Sequence, residues 1–289
     1  MRASSPVGIG LLGCGAMGAE LALAVGPASG PANGPAKGPE GIQNARMAAL
    51  FDQDCGVAGA LAAQLQGDVP TFADVSGLLS ADGVDLVVEC AFQAAIKAHG
   101  RSILDAGKSL LLMSSGALLD PDTYRGMDEA ARANGVEILV PSGAVGGIDA
   151  LRAVRNLLDS VTIVSTKKPE ALSGAPGFAD WEDRKIDGPT VIFEGKAIDA
   201  VGLFPANVNV AATISLAGLG PQRTMVKVVA DPDSPGNVHE VDATGAFGEF
   251  SFRFVNRPHA TNPKTSYLAV LAAIEALRSF CEPGPRIGT

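Results

Sequence analysis

Three glycines at the spacing Gly13-x-Gly15-x-x-Gly18 follow a short apolar run, Val7 to Leu12, and lead into residues that suit a helix, Ala19 to Val25. The chemistry this pattern serves is the cradling of a pyrophosphate. The first glycine permits a tight turn, the second lets the backbone approach the phosphates, and the third lets helix and strand pack closely. Ala16 and Met17 lie at the helix start, where free N–H groups can face the phosphates. With 35 glycines in the chain such a pattern arises by chance, so its context must support it. The context required is an acid ending the next strand, about 20 residues on, that accepts hydrogen bonds from ribose hydroxyls.

Asp52, after the strand-like ARMAALF, is the candidate acid, although it stands 34 residues past Gly18. Between them lies GPASGPANGPAKGPEG, residues 26–41, a four-residue pattern repeated four times. Without those 16 residues the separation is 18, close to that expected. A helix that starts at the carboxyl edge of a sheet ends at the opposite edge, so a Gly/Pro loop there lengthens a surface connection away from the ligand at little entropic cost. An acid at position 52 repels a 2′-phosphate, and FDQD carries no neighbouring arginine. NAD is therefore expected as the cofactor in preference to NADP.

The elements around these residues alternate between strand and helix. VDLVVEC (84–90) reads as a buried strand, AIKAHGRSILDAG (95–107) as a helix and KSLLLMSSG (108–116) as a strand. DPDTYRGMDEAARANG (120–135) reads as a helix and VEILVP (136–141) as a closing strand. Ligands of such sheets sit beyond the carboxyl ends of the strands, which places Ala91, Phe92, Ser114 and Ser115 toward the nicotinamide half of the cofactor. After Pro141 the texture changes. SGAVGGIDALRAV is a glycine-rich turn into a helix. VTIVSTKKP, TVIFEG, TMVKVVADP, NVHEVDATG and GEFSFRFVN then read as strands of a mixed sheet, with helices AIDAVGLFP and NVNVAATISLAGL on one face. The final helix is expected to start at the cap Asn262 with Pro263 at its first position, and to show an apolar face at Leu268, Leu271, Ile274 and Leu277.

The expected architecture is α/β. Residues 1–141 form a Rossmann dinucleotide-binding domain carrying the 26–41 insertion, 142–262 a mixed-sheet α+β substrate domain, and 263–289 a C-terminal helix that returns to the first domain. Composition excludes several partners. A net charge of −9, with no basic cluster beyond Lys167–Lys168, argues against nucleic acid and anionic membrane. No apolar run reaches about 18 residues, so no spanning helix is expected. The N-terminal apolar run is broken by glycine and leads into the phosphate loop, which argues against export and for the cytoplasm. Cys14, Cys55, Cys90 and Cys281 are scattered, as reduced thiols would be, and neither they nor the three histidines form a metal-ligand spacing.

Residues alone stop at a two-domain dinucleotide-dependent oxidoreductase. PSGAVGGIDAL (141–151), TKKP (166–169), FEGKAIDAVGLFPANVNVAAT (193–213), ADP with NVHEV (230–241), NPKTSYLA (262–269), GCGAMG and MSSGALLD (113–120) resemble the L-aspartate dehydrogenase family across nearly the whole chain. The family commonly has arginine where Lys167 stands and valine where Ser115 stands. The resemblance implies NAD(P)-dependent oxidation of L-aspartate to iminosuccinate, which hydrolyses to oxaloacetate and ammonia or feeds quinolinate and NAD synthesis. It also implies a homodimer, with the second domain serving dimerisation. It places the catalytic histidine at His239 and cofactor contacts at Ala144 and Asn209.

A group titrating near neutrality suits the amine proton, or the water that attacks the imine, and histidine fits that role. The alternative for His239 is a hydrogen-bonded structural residue. His99, on a helix, reads as structural, and His259, in a loop, as solvated. Aspartate's two carboxylates need cations or N–H donors, for which Lys168 and Lys264 are the candidates, assisted by Asn207 and Thr213. Two other readings stay open. One is another two-domain amino-acid-pathway oxidoreductase, although the paired-histidine block of dihydrodipicolinate reductases and the lysine-centred motif of homoserine dehydrogenases are missing. The other is a non-catalytic dinucleotide sensor, which predicts cofactor binding without turnover.

Overall fold

Val7–Leu12 is apolar or glycine at every position and buried throughout, as a strand covered on both faces must be. In the computed structural model, which describes residues 5–25, 41–205, 208–282 and 284–285, this run is β1. The chain divides into two units. The first runs to Ala117, resumes over Pro121–Pro141 and takes in the C-terminal segment from Val270. The second holds Leu118–Asp120 and Ser142–Ala269.

In the first unit β1 is followed by α1 (Ala16–Leu23), β2 (Ala45–Phe51), α2 (Cys55–Ala62), β3 (Thr71–Phe72), α3 (Val75–Ser80), β4 (Leu86–Glu89), α4 (Gln93–Asp105), β5 (Ser109–Leu112), α5 (Pro121–Asn134) and β6 (Ile138–Leu139). The six strands are parallel, in the order β3-β2-β1-β4-β5-β6. That order reverses between β1 and β4, which is the switch point where doubly wound sheets bind dinucleotides. The helices α2 and α3 start on aspartate caps: Asp54 accepts from the N–H groups of Gly56 and Val57, and Asp74 from that of Gly77. The strand expected over 108–116 stops at Leu112, because Ser115–Leu119 turns into a short 3₁₀ helix.

The second unit contains α6 (Ile148–Ala153), β7 (Leu158–Lys167), α7 (Pro169–Leu172), β8 (Thr190–Lys196), α8 (Ala197–Leu203), α9 (Asn209–Ala217), β9 (Met225–Ala230), β10 (Asn237–Gly245) and β11 (Gly248–Asn256). Its sheet runs β11-β10-β7-β9-β8 and is mixed, with β7 and β9 parallel and the other pairs antiparallel. Alternation along β7 sends Val161, Ile163, Ser165 and Lys167 to one buried face, while Thr162, Val164 and Thr166 are only half-buried. The buried face packs against Leu151 of α6, Ala197 and Ala200 of α8, and Ala212 and Ile214 of α9.

The last helix, α10 (Tyr267–Cys281), starts later than its sequence implies. Asn262 and Pro263 do not cap it. The Thr265 N–H donates to the Asn262 carbonyl, closing a turn, and Ser266 bridges to Pro258 before the helix begins. Its buried positions are Val270, Ala273, Ile274, Leu277 and Cys281, all in the core of the first unit. Leu268 and Leu271 are only half-buried. A strict three-residue spacing drifts around a helix of 3.6 residues per turn, so the face shifts to the 3-4-3-4 row.

Candidate active site

The phosphate loop is built by steric necessity. Gly13 has φ +98°, and a Cβ there would lie 2.8 Å from the Cys90 carbonyl group and 2.9 Å from the Ala91 nitrogen. A Cβ on Gly18 would run into the Gly13 carbonyl oxygen. Gly15 is different: the space its Cβ would enter is open. It is the N-cap of α1, provides no side-chain cap, and is exposed beside the half-buried Ala16 and Met17. That opening, with the uncapped N–H groups of the first helical turn, fits a pyrophosphate.

Asp52 follows β2 directly and reaches across to this loop. Its Oδ2 accepts from the Cys14 N–H at 2.7 Å and its Oδ1 from the Asp54 N–H at 2.9 Å. A carboxylate offers about four acceptor positions, so two stay available for a ribose diol. Burial, with the Asp52 carboxylate beside it, pushes the Cys14 thiol up to about 12, so that thiol is neutral at working pH. The two ends of the repeat meet away from this loop. The Ile42 N–H donates to the Ala24 carbonyl at 2.9 Å, and Val25 bridges to Ile42. Residues 26–40 of the repeat lie outside the described residues.

At the ends of β4 and β5 the structure reveals a residue that the sequence reading passed over. Glu89 is 0% exposed. Its Oε1 accepts from the Ala91 N–H and the Ser114 hydroxyl, both at 2.8 Å, and its Oε2 from the Ser114 N–H at 3.0 Å and the Met113 N–H at 3.2 Å. Ala91 and Ser114, both expected near the nicotinamide, are thus tied to one buried carboxyl group. Burial pushes that group above the usual glutamate range, against the pull of the donors on Ser114, Ala91 and Met113. A glutamate ending an otherwise apolar buried strand was the only signal.

In the second unit His239 lies on β10 directly opposite Ser165 of β7. It is 1% exposed, and its Nδ1 stands 2.9 Å from the Ser165 hydroxyl. Serine can donate or accept in that contact, so either ring tautomer is satisfied and Nε2 is the nitrogen left for chemistry. Two residues along β7, on the same face, is Lys167, 4% exposed, whose Nζ donates to the Lys264 carbonyl at 2.9 Å. Burial lowers Lys167 to about 8. Burial first, and the Lys167 charge second, lower His239 to about 3. At neutral pH the pair is a charged lysine beside a neutral imidazole.

The other candidates fall in various places. Lys168, one residue beyond the buried row, is exposed at the start of α7, so the strand's alternation gives the buried cation to Lys167 instead. Lys264 is exposed and its ammonium donates to the Ser173 carbonyl, while its own carbonyl holds Lys167. Thr213 is buried within α9 and Asn209 opens that helix. Ala144 is buried and its carbonyl accepts from Asn256 at 2.9 Å. Both Ala144 and Asn209 belong to the second unit, and Asn207 lies outside the described residues. His259 is not solvated: it is 6% exposed, accepts from the Thr261 N–H at 3.3 Å and stands against the Tyr267 ring. His99 is half-buried on α4.

Known proteins match both units. Residues 13–141 match the family model described as homoserine dehydrogenase, NAD binding domain, and residues 149–280 match that described as aspartate dehydrogenase, C-terminal. An L-aspartate dehydrogenase of Nitrosopumilus maritimus is 40% identical over 97% of this chain and 99% of its own length. The chain belongs to the L-aspartate dehydrogenase family. The L-aspartate dehydrogenase of Ralstonia nicotianae is 46% identical over 68% of this chain and 74% of its own. The fold agrees: the crystal structure of the Thermotoga maritima aspartate dehydrogenase superposes with a TM-score of 0.67 at 23% identity, covering 94% of this chain and 93% of that one. Within the family frame, the parallel sheet lies in the part that matches the NAD-binding model and the mixed sheet in the part that matches the aspartate dehydrogenase C-terminal model. Among the described residues no helix is long and apolar enough to cross a membrane.

Proposed function

We propose that this protein oxidises L-aspartate to iminosuccinate with NAD, or NADP as the second choice, and runs the reductive amination in reverse. The observation that carries the reading is the buried row of Ser165, His239 and Lys167 on one sheet face, in the half of the chain that matches the aspartate dehydrogenase model. When bound, the nicotinamide ring accepts the hydride from the substrate's Cα. The first unit supplies the phosphate loop, with Gly13, Gly15 and Gly18 shaping it and Ala16 and Met17 opening its helix, and Asp52 for the ribose.

The second unit handles charge and protons. Lys167 holds a substrate carboxylate, a charge-assisted pair of the kind worth most when buried. That carboxylate cancels the Lys167 field which depresses His239, and so raises the affinity of Nε2 for a proton. His239 can then take the amine proton, or the proton of the water that adds to the imine, while the Ser165 hydroxyl keeps Nδ1 satisfied in either state. Thr213 and Asn207 complete the substrate contacts, and Ala144 and Asn209 those to the cofactor. Hydrolysis of iminosuccinate yields oxaloacetate and ammonia. The same reading extends to a cytoplasmic homodimer whose iminosuccinate feeds quinolinate synthesis.

The test is absorbance of the reduced nicotinamide with purified protein, NAD and L-aspartate, and the reverse with oxaloacetate and ammonia. Turnover that falls by about 10²–10⁴ in His239→Ala, with cofactor affinity kept, is expected. Cofactor binding with no turnover in either direction would refute the assignment and leave the dinucleotide sensor.

A further inference from the structure

We propose that Glu89 is a positioning charge that makes the protein favour the oxidised over the reduced nicotinamide cofactor. The inference rests on the reading of the first unit as the nicotinamide-nucleotide site and goes beyond it to the preference between its two redox states.

The argument is geometric. Glu89 ends β4, the first strand past the switch point of the sheet, and it pairs in register with Leu12 on one side and Leu112 on the other. The strand ends on that side of the switch point are where the second half of a dinucleotide lies. The side chain is fully buried, yet its acceptor positions are met by four donors: the N–H groups of Ala91, Met113 and Ser114 and the Ser114 hydroxyl. Three of these are backbone N–H groups that can only donate, and with the Ser114 hydroxyl they favour the carboxylate, working against the burial that raises its affinity for a proton. Among the described residues no lysine, arginine or histidine pairs with it, and the nearby thiols of Cys90 and Cys14 are held neutral by burial. A buried anion without a resident cation is costly, and it makes an electrostatic field at the place where a ligand's charge changes. The oxidised nicotinamide ring is a cation and the reduced ring is neutral. An anion at the strand ends therefore lowers the energy of the first and leaves the second nearly unaffected. Loops tied only for structural reasons would hold both forms equally.

The experiment is titration of the full-length protein with NAD+ and with NADH, separately, by calorimetry, in wild type, Glu89→Gln and Glu89→Asp. In wild type NAD+ binds at least as tightly as NADH. In Glu89→Gln the ratio of dissociation constants moves toward NADH by about tenfold, the scale of one unit charge acting at an effective dielectric of about 20. For a two-electron couple that is a rise of about 30 mV in the potential of the bound cofactor. Glu89→Asp keeps the charge, so both affinities fall together and the ratio stays. A Glu89→Gln protein that binds both forms with the wild-type ratio overturns the proposal, and so does a wild type that binds NADH more tightly, which needs no variant to fold. Binding of neither nucleotide would refute the nicotinamide reading itself.

Discussion

Lys167→Met should make the protein more stable and less able to use aspartate. Lys167 is 4% exposed, and burial takes its ammonium from 10.5 to about 8. At about 1.4 kcal/mol for each tenfold in proton affinity, holding that charge inside the fold costs about 3 kcal/mol at neutral pH. The folded value lies below the unfolded one. Between pH 8 and 10.5 the unfolded chain therefore holds a proton that the folded chain has released, and stability rises with pH across that window. Methionine has a similar length and no charge. Removing the lysine also removes its hydrogen bond to the Lys264 carbonyl, worth about 1 kcal/mol. The net gain at pH 7 is about 2 kcal/mol, a Tm rise on the order of 5 °C. Thermal melts at pH 7 and pH 10 measure both parts: the variant melts higher at pH 7, and its advantage shrinks by pH 10. Steady-state kinetics supply the functional half. Loss of a charge-assisted carboxylate contact is worth about 1.5–3 kcal/mol, so KM for aspartate rises by about 10- to 150-fold while NAD affinity holds. A variant that melts lower at pH 7, or that keeps the wild-type KM, would refute the reasoning.

The glycine loop separates folding from binding. Gly18→Ala drives a Cβ into the Gly13 carbonyl and should cost about 3 kcal/mol by chemical denaturation. Gly15→Ala enters open space, so it should unfold like wild type yet bind NAD at least tenfold more weakly by calorimetry. Asp52→Ala should weaken NAD and narrow its advantage over NADP, and unchanged affinities for both would sink the ribose assignment. Replacing residues 26–40 with a six-residue Gly/Ser linker between the joined ends at Val25 and Ile42 should leave kcat/KM unchanged. It should add about 0.8 kcal/mol of stability from the shorter closure.

What could be read from the sequence was what single positions dictate by sterics or by period. Gly13 and Gly18 are forced by backbone contacts that leave no room for a side chain. The distance from Gly18 to Asp52 made sense once the GPAx run was discounted. The alternation in VTIVSTK was visible too, and followed to its end it puts Ser165 and Lys167 in phase with Val161 and Ile163. Lys168 looked equivalent only because composition does not say which of two adjacent lysines faces inward. The helix α2, CGVAGALA, has no polar side to contrast with an apolar one, so only its Asp54 cap announces it. The Asn262–Pro263 pair carries the chemistry of a helix start, but it closes a turn, because Ser266 is bridged to Pro258. Glu89 could not be assigned at all without the fold, since its donors lie on loops that follow two different strands.

Glu89 and Lys167 also explain each other's presence. An apolar residue of similar size in place of Lys167 would raise stability, whereas one in place of Glu89 would leave the N–H groups of Ala91 and Ser114 without their acceptor. Each is held by neutral groups: backbone N–H groups and a hydroxyl around the glutamate, a backbone carbonyl at the lysine. Their signs are opposite and match the proposed ligands, an anion in the unit that would hold a cationic nicotinamide and a cation in the unit that would hold a dicarboxylate. His239 follows the same logic in reverse. Kept neutral by burial first and by Lys167 second, it gains proton affinity when a carboxylate cancels the second of these. The base is thereby poised by the substrate's arrival, and amines lacking a carboxylate at that position should fail in kcat as well as in KM. Measuring both constants for aspartate and for an amine substrate without its side-chain carboxylate would show this: a loss confined to KM would break the link between Lys167 and His239.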